Sequence, residues 1–300
     1  MRRRTRVLLA GAVTGAAGLT AALAYAAIVP TPVVTARGWQ YLPSADAAGA
    51  HVAYTEVKKG HSTLYVKPAG QPRMAVNSRG DALNGGFDGT QVIYQQINSR
   101  GTKSHIKLYD VGTQQKSEPD GVNTGNWQYE PSLSGDWVLF GRTTAHHFAV
   151  MLHNTNTSEN RRLVSHRRRG VLLDPGQVDN TWASYSVYSK STRISNTYRY
   201  DITGSTTEKI PRPDGRGQYS SSIAPDGTLF YVRSKLGCGK HVVIRENVPG
   251  GADTPLVSLP AGYDVFHTFV VDEGGGELSL YYDQASCTTN RSNIYKLTIS

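Results

Sequence analysis

One pattern of apolar and polar positions recurs along the chain. A short turn with Gly or Asp leads into a run of apolar and aromatic residues that ends on Tyr or Phe. The copies are His51-Val52-Ala53-Tyr54, Gln91-Val92-Ile93-Tyr94, Trp137-Val138-Leu139-Phe140, Trp182-Ala183-Ser184-Tyr185, Thr228-Leu229-Phe230-Tyr231 and Ser279-Leu280-Tyr281-Tyr282. The final aromatics follow one another at 40, 46, 45, 46 and 51 residues. Short apolar runs bounded by turn residues predict buried strands. A polar loop and a further strand follow each copy, as at Thr63-Leu64-Tyr65-Val66 and Ile106-Lys107-Leu108-Tyr109. A turn, as at Gly112 or Gly204, then leads to a polar outer strand. Trp39-Gln40-Tyr41-Leu42-Pro43-Ser44 returns 88 residues later as Trp127-Gln128-Tyr129-Glu130-Pro131-Ser132, with a weaker copy at Gly217-Gln218-Tyr219. This segment supplies a fourth strand per repeat. No segment beyond residue 30 sustains a helical period.

Residues 30–300 divided among six copies give about 45 residues each, the size of a propeller blade. The predicted fold is all-β: one domain over 30–300, a six-bladed β-propeller of four-stranded blades. Each blade buries its faces only against its neighbours, so the ring must close. The chain ends on the third strand of blade six, at Ile294–Ile299, and Val33-Val34-Thr35 is expected to supply the missing outer strand.

The turn Ala224-Pro225-Asp226-Gly227-Thr228-Leu229-Phe230-Tyr231 resembles the Ser-Pro-Asp-Gly repeat of the TolB-like, WD-repeat-like propellers. Phe87-Asp88-Gly89 is a partial copy, Leu133-Ser134-Gly135-Asp136 reverses Gly and Asp, and Val178-Asp179-Asn180 keeps only the Asp. The resemblance implies a six-bladed ring that commonly binds proteins or ligands outside the cytoplasm. The Asp-Gly turn is structural in that family, so it carries over no catalytic residue.

The chain opens Met1-Arg2-Arg3-Arg4-Thr5-Arg6, and an uncharged Ala-, Leu-, Val- and Gly-rich stretch runs from Val7 to Val29. A basic start before an apolar run predicts an export signal over residues 1–29, with cleavage after Ala24 or Ala26. An uncleaved anchor over residues 7–29 is the alternative, since the stretch is long enough to span a bilayer. Either way the propeller is expected outside the cytoplasm, in the cell envelope or secreted. Of the 300 residues, 18 % are charged, below the roughly 25 % of ordinary domains, which excludes a disordered polyelectrolyte or a coiled coil. The net charge is +9, and loss of residues 1–26 with their four arginines leaves +5.

Cys238 and Cys287 are the two cysteines, and both fall between the second and third strands of adjacent blades. Loops at that position lie side by side, so a Cys238–Cys287 disulfide is expected in an oxidising compartment. These loops and the blade connections share one face. That face carries Lys58, Lys59, His146, His147, Lys190 and Arg193, with Arg167-Arg168-Arg169 as its sharpest feature. Asp120, Asp174, Asp214 and Asp283 count among its few acids, whereas the opposite turns carry Asp46, Asp88, Asp136, Asp179, Asp226 and Asp272. A basic face attracts polyanions and acidic partners.

No Gly-x-Ser-x-Gly elbow, His-Glu-x-x-His pair, phosphate loop or dinucleotide fingerprint occurs. His146, His147 and His153 do not converge on a strand, so no metal is expected, and no cofactor or catalytic residue is assigned. His51, Glu130 and His267 are candidates to face the central channel. The expected function is a non-catalytic exported binding module whose basic face takes an unidentified protein or an anionic envelope polymer. The alternative is a propeller hydrolase or lyase acting on carbohydrate or peptide in the channel, which requires a deep pocket with paired acids or a His flanked by acids. Nucleic acid is disfavoured by the export signal and the modest charge. Membrane contact is expected only through an uncleaved N-terminus.

Overall fold

Six antiparallel units of four strands succeed one another along the chain and close into a ring. The structure is a computed structural model that describes residues 29–35, 38–212, 214–235, 237–289 and 291–299. The export signal or anchor predicted over 1–29 lies outside the described residues save for Val29. Among the described residues there is no helix.

The inner strands are Trp39–Ala45, Asp81–Asp88, Trp127–Ser134, Val171–Val178 and Gly217–Ile223 in blades one to five. In blade six the inner strand comes in two pieces, Tyr263–Asp264 and Thr268–Gly274. The Tyr- and Phe-ended runs are the second strands, as the apolar pattern predicts. They read as continuous apolar runs because neighbouring blades cover both faces: Val52, Ala53 and Tyr54, or Val138, Leu139 and Phe140, are fully or almost fully buried. The fourth strands lie at the perimeter and are polar, as at Thr206–Lys209, where all four residues are exposed.

Burial is divided into layers between blades. One layer packs Val34, Phe269 and Tyr281 with Tyr54, Tyr94 and Phe87. Others join blades two and three through Ile93, Ile106 and Phe140, and blades five and six through Phe230, Ile244 and Tyr282. The repeated Tyr has its own partner in three blades. Tyr54 faces Tyr65, Tyr185 faces Tyr198 and Tyr282 faces Tyr295 directly across the second and third strands, with ring centroids 5.8, 5.0 and 5.7 Å apart. Such cross-strand aromatic pairs add to plain area burial.

The ring closes as expected. Thr31–Val34 pairs antiparallel with Ser292–Ile299, the last strand of the chain, and becomes the outer strand of blade six. The closing strand thus begins and ends slightly before Val33–Thr35. Val34 is buried in the layer between blades six and one.

Cys238 and Cys287 form the expected disulfide, with Cα atoms 5.8 Å apart and a sequence separation of 49. It ties the second-to-third-strand loop of blade five to that of blade six. Replacing both cysteines with Ala should cost roughly 2–4 kcal/mol, a fall in Tm of roughly 5–10 °C for a domain of this size. Thermal denaturation of oxidised wild type beside the double variant checks this. Coincident melting curves would mean the bridge constrains nothing that the blade packing does not already hold.

Candidate functional site

The site grows from a defect shared by all the inner strands. Each loses register with its second strand near its middle: between Tyr41 and Ser44, Asn84 and Gly86, Tyr129 and Ser132, Pro175 and Val178, and Tyr219 and Ser222. Blade six breaks outright between Asp264 and Thr268. A bulge of this kind re-aims side chains and ends pairing locally. In the three copies of the Gln-Tyr motif the fourth residue takes a left-handed backbone: Leu42 at φ 54°, Glu130 at 46° and Ser220 at 53°. Such non-glycine residues cost about 1–3 kcal/mol each and persist only where the surroundings hold them.

The motif supplies that hold. Gln40, Gln128 and Gln218 have no exposure, and each donates through Nε2 to nearby chain, to Gly38 O, Thr124 Oγ1 and Pro211 O at 3.1, 2.8 and 3.0 Å. The closing Ser of each copy reaches the next blade. Ser44 Oγ accepts from Asn84 Nδ2 at 2.8 Å, Ser132 Oγ accepts from the Val178 amide at 3.0 Å, and Ser222 Oγ lies 3.1 Å from Thr268 Oγ1. The 88-residue repeat therefore marks the links of blade one to two, three to four and five to six.

The bulges line the central channel. Its waist is filled: Gln177 of blade four spans to blade six, donating to Val270 O at 2.8 Å and accepting from Val270 N at 3.0 Å. The Phe269 ring reaches toward Gly86 of blade two, where a Cβ would sit 3.4 Å from it. A cavity of only about 40 Å³ remains at this level. On one side of the plug the channel opens into a cleft of about 520 Å³. Its walls are Trp127, Tyr129, Phe148, Tyr219, Phe266 and the pair Leu172-Leu173, and its floor holds Glu130, Asp174, Ser220 and His267. Gly141 makes room for one wall, since a Cβ there would lie 2.2 Å from the Tyr129 ring.

The floor groups perturb one another. Asp174 accepts from the Ser220 amide at 3.2 Å. His267 Nδ1 stands 3.6 Å from Oδ2 of the fully buried Asp283, an ionic contact too long for a hydrogen bond. Asp283 Oδ1 accepts from the amides of Phe266 and His267 at 2.7 and 3.0 Å, which fixes the broken strand of blade six. The three titratable floor side chains, Glu130, Asp174 and His267, are half-buried and face the cleft at the centre of the ring. Burial, reinforced by Asp174, pushes the Glu130 carboxyl up to about 8, while His267 pulls it down. Burial also raises Asp174, against the opposing effects of His267 and the Ser220 amide. Burial lowers His267, but Asp283, Asp174 and Glu130 outweigh it and the imidazole is raised. The Tyr129 phenol is raised too, by burial and then by Glu130 and Asp174.

Among the described residues, the one group of three His, Cys, Asp or Glu ligand atoms within 4.8 Å of one another is Cys238, Asp264 and Cys287. Its sulfurs are joined to each other, so it is no metal site. Glu130, Asp174 and His267 do not converge to that spacing.

Of the channel candidates, Glu130 and His267 face the cleft and His51 does not. His51 begins a second strand, lies 2.7 Å from Asp46 Oδ2 and stacks on Phe87. Second strands stand one layer out from the channel, which is why His51 cannot reach it. Two acids expected among the loops of the basic face also lie elsewhere: Asp174 on the channel floor and Asp283 buried beneath His267. Asp174 was foreshadowed by its register, since Glu130-Pro131 and Asp174-Pro175 are 44 residues apart, one blade.

Lys58, Lys59, His146, His147, Arg167, Arg168, Arg169, Lys190 and Arg193 are all exposed. They sit on or beside the loops of the face where the cleft opens. The Arg168 guanidinium lies 5.5 Å from the centre of the Phe148 ring, a wall of the cleft, and its amide donates to His146 O at 3.0 Å. The arginine run therefore stands at the cleft rim. Asp88, Asp179 and Asp272 line the opposite mouth of the channel.

Comparison with solved structures identifies the architecture. TolB from Acinetobacter baumannii superposes with a TM-score of 0.57 at 14 % identity, covering 85 % of this chain and 65 % of that one. A putative TolB from Agrobacterium tumefaciens gives 0.57 at 17 % identity, covering 88 % and 92 %. The fold is that of the TolB-like six-bladed β-propellers. Oligogalacturonate lyase in complex with manganese superposes with a TM-score of 0.56 at 13 % identity over 88 % of this chain and 90 % of that one. No protein-family model and no curated protein matches the sequence. This chain covers less than two thirds of the Acinetobacter protein.

The contribution of the floor groups to stability should fall as pH rises. Glu130 is raised above its ordinary 4.5 and Asp174 above 3.8, so the folded chain holds protons that the unfolded chain releases. His267 is raised above 6.5, so its stabilisation is present below that value and lost as pH climbs through its folded value. Glu130→Gln should melt with wild type at about pH 4 and above it at about pH 9. Parallel Tm curves for the two proteins across that range would show that Glu130 is not held in this environment.

Proposed function

We propose that the protein is an extracytoplasmic binding propeller that takes its ligand in the cleft at the channel mouth, with the basic loops as its rim. One observation carries the reading. A cleft of about 520 Å³ with apolar and aromatic walls gathers a few polar groups from blades three to six on its floor. Ligand sites have this size and this mixture. The address rests on the N-terminal export pattern and on the Cys238–Cys287 bridge, which persists in oxidising compartments. The plug at Gln177 and Phe269 favours a ligand that enters and leaves by the same mouth.

The two halves of the site have separable roles. Exposed cations at the rim act at long range and are screened by salt. Aromatic walls act at contact and supply most of the affinity. Binding of cell-envelope fractions to the purified propeller, across a salt series, tests this division. Trp127→Ala with Phe266→Ala should weaken binding at least about tenfold at every salt concentration. Arg167/Arg168/Arg169→Ala should weaken it mainly below about 0.1 M salt. Binding unchanged by the wall substitutions would exclude the cleft and leave the outer loops.

A second reading has its own observation. A Glu held protonated near neutral pH beside an Asp and a His is an arrangement suited to general acid–base chemistry. The ring superposes on an oligogalacturonate lyase and on the β-propeller domain of a protease from Pyrococcus furiosus. Under this reading the protein turns over a carbohydrate or peptide substrate, with Glu130 as the acid. Glu130→Gln would then abolish turnover while leaving ligand affinity in place.

A further inference from the structure

We propose that the cleft receives a cationic side chain, the ammonium of a lysine, carried on an extended peptide. The inference rests on the cleft being the ligand site and adds the chemistry of its ligand. The first argument is sign. No Lys or Arg lines the cleft, whereas Glu130 and Asp174 do, and a third carboxylate, Asp283, stands behind the one cationic candidate, His267. The rim is basic and the floor is acidic. A polyanion drawn by the arginines would meet carboxyl groups on entry.

The second argument is hydrogen bonding. No described residue donates to the Glu130 carboxyl, and Asp174 receives only the Ser220 amide. Both carboxyls are half-buried and face the cleft, so a cation that enters and displaces their water meets acceptors with little competition from protein donors. The third argument is the shape of that cation. The ligand atoms of Glu130, Asp174 and His267 do not converge as a small metal ion requires. The walls instead present Trp127, Tyr129, Phe148, Tyr219 and Phe266, and aromatic faces attract organic ammonium groups. The methylene stem of a lysine suits the apolar walls while its ammonium reaches the floor.

The peptide character comes from the ground beyond the cleft. Tyr219 and Phe266 also line a second hollow of about 360 Å³, which continues past Ser195 and Cys238 to Arg193 and Lys235. A ligand crossing both hollows meets the acidic floor and then Arg193 and Lys235, since the second hollow's own acid, Asp264, is buried and taken up by the Tyr219 hydroxyl and the Val265 amide. An extended peptide with a lysine followed by an acidic residue matches that order, and its acidic residue gives the basic rim a short-range partner.

Isothermal titration of the oxidised propeller tests this with four probes: a hexapeptide bearing one lysine and a later glutamate, its ε-acetylated form, a glucosamine trisaccharide, and Mn²⁺. The lysine peptide is expected to bind, and acetylation, Glu130→Gln or Asp174→Asn should each weaken it at least about tenfold. Both variants replace a carboxyl with a neutral amide of the same shape, so they should remain folded, and a thermal melt confirms it. Equal binding of the acetylated peptide overturns the proposal, as does binding of the trisaccharide or Mn²⁺ in place of the peptide, or of no probe at all. Trp127→Ala separates the two levels. Binding of the acetylated peptide that is lost in Trp127→Ala sinks the lysine and keeps the cleft. A probe whose binding is indifferent to Trp127→Ala sinks both.

Discussion

Ring closure is the constraint on which this structure depends. Each blade has two apolar faces and can cover them only with its neighbours, so an open ring would leave one face of blade one and one of blade six in water. The chain meets this by pairing Thr31–Val34 with Ser292–Ile299, which joins its two described ends in one sheet. Side-chain links then run from blade to blade around the ring, with Ser44 to Asn84, Ser132 to Val178 and Ser222 to Thr268 in alternate gaps. Ser292 Oγ donates to Gln40 O across the seam. The disulfide adds a covalent tie between blades five and six at the face where the cleft opens.

The same closure creates the site. Six inner strands converge on one axis, and they cannot all remain straight there without their side chains colliding. They bulge, and the bulges turn Leu42, Glu130 and Ser220 into left-handed backbone. The displaced residues have nowhere to point but the channel. The ring thereby holds two carboxyl groups and an imidazole together, in surroundings that none would favour alone. Energy stored in this arrangement is supplied by interblade burial elsewhere. Proteins commonly keep such unfavourable groupings where they meet ligands.

The repeat was legible because its physics is local. A second strand covered on both faces must be apolar for several residues, so Val92-Ile93-Tyr94 and Val138-Leu139-Phe140 announce themselves. Outer strands face water and read as polar. The cysteines were legible once the register was known, since equal loop positions in adjacent blades are neighbours. The floor of the cleft was harder, because it draws single residues from blades that lie far apart in sequence and leaves no contiguous motif. Glu130 and His267 were recognisable only as polar residues near inner-strand centres. His51 looked equivalent but belongs to a second strand, where its Asp46 partner holds it. Asp174 carried a usable signal, an acid before Pro in register with Glu130, that charge counting alone assigned to a surface loop. The surface cations are exposed, as charged loop positions generally are, but their relation to an acidic floor needed three dimensions.

The most direct test of this account is the titration of Glu130 itself. Carbon-13 NMR on protein labelled at the glutamate carboxyls, with Glu130→Gln to assign the signal, follows its protonation as pH changes. The account predicts a midpoint near 8, because burial and Asp174 together hold the proton on. A midpoint in the ordinary range near 4.5 would contradict it. The inner-strand bulge would then present Glu130 to bulk water, and the channel mouth would be a solvated surface with no built floor.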